Sequence, residues 1–373
     1  MRNEYPRPDF KRDSFVSLNG TWEFCFDDYN VGHKEKWFVK HDFDKKIEVP
    51  FSFETKLSGI HDTTYHDHVW YHKKLKDIKL SDNHLFILHF EGVDYYSEVY
   101  INGYLIKDHY GSNAGFQVDI TNYLVEGEND LVVYCFDPSK DRSIPRGKQD
   151  WELEGHAIWY TRTTGIYKSV WLEQVDKKYI KNFFVRTKLD RYCISYDVEV
   201  SEPNGTLEII VYDGNDSVKN SFKVTKKKNT YEFCLPNDFV NDRIWTLQRP
   251  FLFDINLILK DDYGNVVDKV NSYLGIREVK TENGKVLLNG LPIYQKLVLN
   301  QGYYVDGNLT APTVEDMEKD IDDMIAMGFN GCRIHQKTED PLFLYLCDKK
   351  GFLVWQECAE NYGYSNLNQR RMI

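Results

Sequence analysis

The sequence predicts three consecutive bodies: a β jelly-roll sandwich over residues 1–176, an immunoglobulin-like β-sandwich over residues 177–275, and an incomplete (β/α)8 TIM barrel over residues 276–373. Three observations predict this. Short alternating apolar runs, punctuated by turns and without helical stretches, recur through the first 275 residues, as in sandwiches and jelly rolls. The second set of runs fits into about 100 residues, the size of an immunoglobulin-like unit. The apolar period then changes from two to that of a helix, and strand and helix alternate as in a parallel α/β unit.

The elements follow in order. TWEFCF at 21–26, HLFILHF at 84–90, SEVYING at 97–103, DLVVYCF at 130–136 and KSVWLEQV at 168–175 read as strands of the first body. Asn102–Gly103 is a hairpin signal, and Glu126 to Asn129 is a second turn. In the second body the strands are 192–200, 206–213, 229–235 and 251–259, with turns at 203–205 and 261–265. In the third, YQKLVL at 294–299 is a strand, and Val314, Met317, Ile321, Met324 and Ile325 share one helical face behind the N-cap Thr313. GFNGCRIH at 328–335 is the next strand. Asp340–Pro341 opens a second helix, and GFLVWQE at 351–357 is a third strand. From Ser365 onward no core pattern is evident.

Net charge is −11, and the longest basic run is Lys226–Lys228, which argues against nucleic acid and anionic membranes as partners. Aromatic residues make up 15% of the chain, and most are expected in sheet cores. The seven cysteines form no CxxC pair and are expected as reduced core thiols, with no metal site. No apolar stretch approaches the length of a membrane span, and the N-terminus lacks an apolar signal region, so a cytoplasmic protein is expected. His61, His66, His68 and His72 are read as polar surface on a loop.

Six segments, in order, carry a resemblance. They are SLNGTWEFCFDD at 17–28, IEVPFSFE at 47–54, FEGVDYYSEVYINGYLIKDHYGSNAGFQVDIT at 90–121, IPRGKQDWELEGHAIWYTRTTGIYKSVWLE at 144–173, GIREVKTENGKVLLNGLPIYQKLVLNQG at 275–302 and MGFNGCRIHQKTEDPLFLYLCDKKGFLVWQE at 327–357. Together they resemble glycoside hydrolase family 2, the β-galactosidases, β-glucuronidases and β-mannosidases.

The resemblance implies retaining hydrolysis of a β-linked galactoside or related glycoside by two glutamates about 5–5.5 Å apart. In that family the acid/base follows an Asn on the fourth barrel strand and the nucleophile lies on the seventh. Only three strands are read here, and the Asn3–Glu4 dipeptide is far from any of them, so no catalytic residue is assigned. The resemblance implies substrate-binding roles for Asp137, Asn300, Gln301, Arg333, His335 and Glu357, with structural pairing the competing role for Arg333 and Glu357. Arg146, Lys148, Gln149 and Trp151 are expected on one loop near the pocket, and Trp159 and Tyr160 in packing between bodies. No cofactor is expected beyond a sodium or magnesium ion implied by the family. The expected partners are a carbohydrate substrate and, because three strands leave an open edge, self-association or a complementing C-terminal fragment. The alternative reading is a non-catalytic carbohydrate-binding fragment. In a third, residues 276–373 form an independent interaction domain.

Overall fold

A computed structural model describes residues 2–214 and 216–365. The expected patternless end, from Ser365 onward, lies outside the described residues apart from Ser365 itself. Among the described residues no helix is long and apolar enough to cross a membrane.

The first body is a sandwich of two antiparallel sheets. One has six strands in the order Lys45–Val49, Gly20–Phe26, His68–Ile78, Gly127–Phe136, Tyr96–Ile101 and Tyr104–Tyr110. The other has four, in the order Phe15–Ser17, Val170–Asp176, His84–Phe90 and Phe116–Asp119. Alternation decides which side chains meet. Leu131, Val133 and Cys135 face the inner core with Trp22, Phe24, Tyr71, Leu88 and Leu172. Their neighbours Val132 and Tyr134 enter a second core with Trp37, Trp70 and Tyr100, beneath residues 31–43. The six-stranded sheet is therefore buried on both faces, which explains the continuous apolar run at its centre.

The strand His68–Ile78 is absent from the sequence reading because Lys73, Lys74 and Lys76 interrupt its apolar alternation. The loop expectation is corrected for two of the four histidines: His68 and His72 lie in this strand, whereas His61 and His66 precede it on a loop, His61 exposed and His66 stacked on Phe26 at 3.6 Å between ring centroids.

The second body packs the three strands Ile180–Lys188, Cys193–Val200 and Lys228–Cys234 against Ser217–Lys223, Thr206–Tyr212, Phe253–Lys260 and Val266–Leu274. Ile194, Tyr196, Leu207, Ile209 and Leu257 fill its core. The expectation of seven reduced thiols is corrected here. Cys193 and Cys234 lie directly opposite in register on neighbouring strands and form a disulfide across 41 residues of sequence. Cys25, Cys135, Cys332, Cys347 and Cys358 are free.

The third body opens with a small antiparallel sheet between 279 and 292. Three parallel strands follow, Leu297–Asn300, Gly331–Ile334 and Leu353–Gln356, joined by the helices Val314–Ala326 and Pro341–Lys350. The Thr313 hydroxyl caps the first helix by accepting from the Asp316 amide at 3.1 Å. Pro341 begins the second, and Gly351, at φ +72°, ends it. Val298, Cys332, Ile334 and Val354 turn one face of the sheet onto the helices, against Met317, Ile321, Phe343 and Leu346. On the other face Leu299 and Trp355, in register with Arg333, are 47% and 55% exposed.

Polar knots join the bodies. Arg12, buried, donates to Glu173 Oε2 at 2.7 Å on the first sandwich and to Asp268 Oδ1 and Oδ2 at 3.0 and 2.9 Å on the second. Trp245 Nε1 donates to the Asp348 carbonyl at 2.7 Å, holding the second body to the last helix.

Candidate functional site

Parallel α/β units gather chemistry at the C-terminal ends of their strands, where the connecting loops leave the sheet. Here those ends carry Gln301, His335 and Glu357, with Arg333 two residues before His335. Side chains alternate across a strand, so Arg333, His335 and Glu357 share the side opposite the helices. Arg333 Nε donates to Glu357 Oε1, and the other carboxylate oxygen accepts from the Gln336 amide at 3.1 Å. His335 Nδ1 lies 3.0 Å from Gln301 Oε1, and its Nε2 is 3.8 Å from Glu357 Oε2. Burial lowers the His335 pKa. Glu357 and Glu360 oppose that shift, while Lys148 and Arg333 reinforce it, and the neutral imidazole is favoured.

A loop of the first sandwich builds one wall of this site. The Gly147 amide donates to the Glu360 carbonyl at 2.9 Å, and Gly147 sits at φ +59°. A Cβ there would lie 2.3 Å from the Gln336 carbonyl oxygen, so only glycine allows this approach. Arg146 is turned inward and donates to the carbonyls of Ser139, Asp150 and Pro138 at 3.0, 3.1 and 3.1 Å, which fixes the loop's shape. Gln149 bridges the Asp94 carboxyl at 2.5 Å and the Thr163 amide at 2.7 Å. Lys148 is buried, with its Nζ 5.5 Å from the centre of the Trp159 ring. Trp151 packs against Trp159 and Tyr362, with ring centroids at 4.6 and 5.5 Å. Tyr160 stacks on Tyr303 at 4.4 Å, so Trp159 and Tyr160 both pack across the junction of the bodies.

Of the residues named from sequence, the structure brings together Gln301, Arg333, His335 and Glu357. Asn300 falls on the helix side of its strand, and its Oδ1 accepts from the Gly302 amide at 2.7 Å, closing the turn. Asp137 is 3% exposed and is not in the cluster. Its Oδ2 accepts from the Thr164 hydroxyl at 2.8 Å, in a buried group with Asp94 and Glu54. Burial raises the pKa of all three, that of Glu54 to about 7.

The sequence reading did not place Gln336, Glu360 and Tyr362 in the site. Gln336 Nε2 donates to Glu360 at 2.9 Å, and the Tyr362 hydroxyl donates to Gln336 Oε1 at 2.8 Å. Their signal was position alone, just beyond a strand end. Among the described residues no three His, Cys, Asp or Glu side chains are arranged to hold a metal ion.

Comparison with known proteins gives two family matches: "Glycosyl hydrolases family 2, sugar binding domain" over residues 15–176 and "Glycosyl hydrolases family 2" over residues 178–277. A putative β-glucuronidase of Formosa agariphila is 29% identical over 302 residues, covering 77% of this chain and 34% of that protein. A β-galactosidase of Thermoanaerobacter pseudethanolicus is 26% identical over 358 residues, covering 91% of this chain and 44% of that protein. The crystal structure of Ruminococcus gnavus β-glucuronidase superposes with a TM-score of 0.80 at 21% identity, over 100% of this chain and 63% of that one, a likeness of fold. The chain thus spans between about a third and two thirds of the length of these relatives.

Proposed function

The chain belongs to glycoside hydrolase family 2, and on that premise we propose that it acts on β-linked glycosides, a galactoside or a close relative, by that family's retaining chemistry. The three parallel strands then open a (β/α)8 barrel whose strand ends receive the sugar. The observation that carries the reading is the Gln301–His335–Glu357–Arg333 cluster on those ends.

In this reading Glu357 is occupied by Arg333 and by the Gln336 amide, so it orients the guanidinium and accepts from a sugar hydroxyl, and proton transfer falls to another group. Arg333, half exposed, offers its remaining donors to the sugar. Neutral His335, steadied by Gln301, supplies a further hydrogen bond. Asp137 and Asn300 support the site from behind, through Thr164 and the turn at Gly302. The donor set described above does not fit a metal ion, and no step is routed through one. The catalytic glutamate pair is assigned to no residue of this chain. We place it on further barrel strands next to Leu353–Gln356, which is the outer strand of its sheet among the described residues.

The test has two parts. Ligand-observed NMR should detect methyl β-D-galactoside on the purified chain, with the signal lost in Arg333→Ala. Hydrolysis of 4-nitrophenyl β-D-galactoside should be negligible until the remaining barrel half of a relative is co-expressed. Absence of both binding and restored turnover would sink the reading. Brisk turnover by the chain alone would overturn the placing of the glutamate pair outside it.

A further inference from the structure

The outer face of the six-stranded sheet carries a second pocket, built wholly by the first sandwich. Register sets its residues side by side. Phe136 stands opposite Tyr96, and Tyr96 opposite Tyr110. Two residues along, Tyr134 stands opposite Glu98, and Glu98 opposite Asp108. Side chains two apart share a face, so an aromatic row and an acidic row adjoin. The pocket over them has a volume of about 470 Å³, within the roughly 300–1,000 Å³ of small-molecule sites. His33 and the loop residues Pro138, Asp141 and Ile144 bound it.

Its rings are inclined to one another. The centroids of Tyr96 and Tyr110 are 4.4 Å apart at 40°, those of Tyr95 and Tyr110 6.0 Å at 67°, and those of Tyr96 and Tyr134 6.4 Å at 75°. Such rings form a cage rather than a flat platform. Glu98, with its side chain 14% exposed, lines the cage. The Tyr96 hydroxyl donates to its Oε1 at 2.7 Å, the Tyr100 hydroxyl donates to Oε2, and His33 Nε2 lies 2.8 Å from Oε2. Burial pushes the Glu98 pKa up, but Tyr100, His33 and Tyr96 outweigh burial and hold it below the usual carboxylate range.

The surroundings are acidic. Asp141 also lines the pocket, and among the described residues no Lys or Arg does. On the bounding loop Lys140 and Arg142 are turned away onto Tyr65 and Trp151, 4.9 and 4.3 Å from the ring centres. Aromatic faces and a fixed carboxylate attract a cation. Three donors already fill most of the roughly four acceptor positions of the Glu98 carboxylate. A primary ammonium or a sugar would find few acceptors for its hydrogens. A quaternary ammonium has none to satisfy, and its methyl groups pack against rings.

We propose that this pocket binds a small quaternary ammonium cation of the choline class, its methylated nitrogen held among the tyrosine rings beside Glu98. The site stands apart from the strand-end cluster and does not depend on which sugar binds there.

The test is calorimetric titration of the full 373-residue chain at pH 8 and about 0.1 M salt. Choline and tetramethylammonium should bind. The uncharged analogue of choline with carbon in place of nitrogen, and ethanolamine, should each bind on the order of tenfold more weakly. Phosphocholine and glycine betaine, which bring an anion toward Glu98 and Asp141, should also bind more weakly than choline. Tyr110→Leu removes one ring and should weaken choline by about 2- to 30-fold, the span of one cation–π contact written as a ratio. Glu98→Gln should weaken choline and leave the uncharged analogue unaffected.

Equal binding of choline and its uncharged analogue, or no choline binding on the order of 10 mM, overturns the proposal. Phosphocholine bound as tightly as choline overturns it in favour of a lipid headgroup. Methyl β-D-galactoside bound in a manner that Tyr110→Leu abolishes overturns it in favour of a carbohydrate. If neither variant folds, the ligand series on the unaltered chain decides, together with hydrogen exchange. Choline should slow exchange at residues 95–110, and slowing only elsewhere overturns the proposal.

Discussion

Replacing Arg12 by alanine tests what joins the two sandwiches. The guanidinium is 5% exposed, and it faces Glu173 and Asp268, which are 1% and 8% exposed. Without it Glu173 keeps the Tyr5 hydroxyl at 2.7 Å and Trp171 Nε1 at 3.0 Å, and Asp268 keeps the Ile180 amide at 2.8 Å. Hydrogen bonds survive, but two enclosed negative charges lose their shared cation. Removing one partner of a buried ion pair costs about 3–5 kcal/mol. For bodies of this size that lowers the melting temperature by roughly 6–20 °C, read by scanning calorimetry or tryptophan fluorescence. Adding Glu173→Gln and Asp268→Asn to Arg12→Met should recover at least half of the loss, because the unpaired charges go with the cation. A single variant melting within about 2 °C of the parent would refute the reasoning, since the knot would then carry no net stability. So would a triple variant no better than the single one.

The acid limb gives an independent reading. Burial pushes the Glu173 carboxyl up, but His89, Arg12 and Tyr5 override it and hold the pKa well below the usual carboxylate range. A depressed folded pKa contributes stability that is fully present above the unfolded value of about 4.3 and is lost as pH falls below it. The parent should weaken in that window, and Glu173→Gln should show a flatter acid limb.

Three further outcomes are expected. Gly147→Ala should detach the wall loop, because its Cβ meets the Gln336 carbonyl, and amide exchange at 357–363 should rise with a stability loss of about 1–3 kcal/mol. Thiol titration of the denatured, unreduced protein should count the five free cysteines, rising to seven after reduction, and Cys193→Ser should cost about 4 kcal/mol by the loop-entropy relation. Glu54, whose folded pKa is raised to about 7, destabilises the fold as pH rises from its unfolded value through 7. Glu54→Gln should therefore gain as much as about 3 kcal/mol at pH 8 and little at pH 5, measured by urea denaturation at each pH.

Where burial follows a simple period or an unbroken apolar run, the sequence was readable. The run Leu131 to Cys135, and the helix from Val314 with its Thr313 cap, are written in residue type and spacing. The strand His68–Ile78 was hidden because Lys74 and Lys76 are exposed toward one end of this interior strand, a choice made by tertiary position. The disulfide was hidden because register, which no local pattern states, sets Cys193 opposite Cys234. In the site, strand ends pointed to Gln301, Arg333, His335 and Glu357. Alternation could have warned that Asn300, one residue out of phase with Arg333's neighbour Leu299, lies on the helix side. The wall loop has no period at all, so the depth of Lys148 and the enclosure of Asp137 needed coordinates.

The meeting of Gly147 with Gln336 also bears on how such proteins diverge and recombine. One half of the cluster's surroundings is encoded near residue 147 and the other beyond residue 300, and they fit with no room for a methyl group. A chimaera that exchanged residues 276–365 with a relative would inherit strand ends shaped for another loop, and one that exchanged the sandwich would inherit a loop shaped for other strands. The two segments form one unit of descent although Gly147 and Gln336 stand 189 positions apart on the chain, roughly the length of a domain. Variation in one is expected to be answered by variation in the other before it is tolerated.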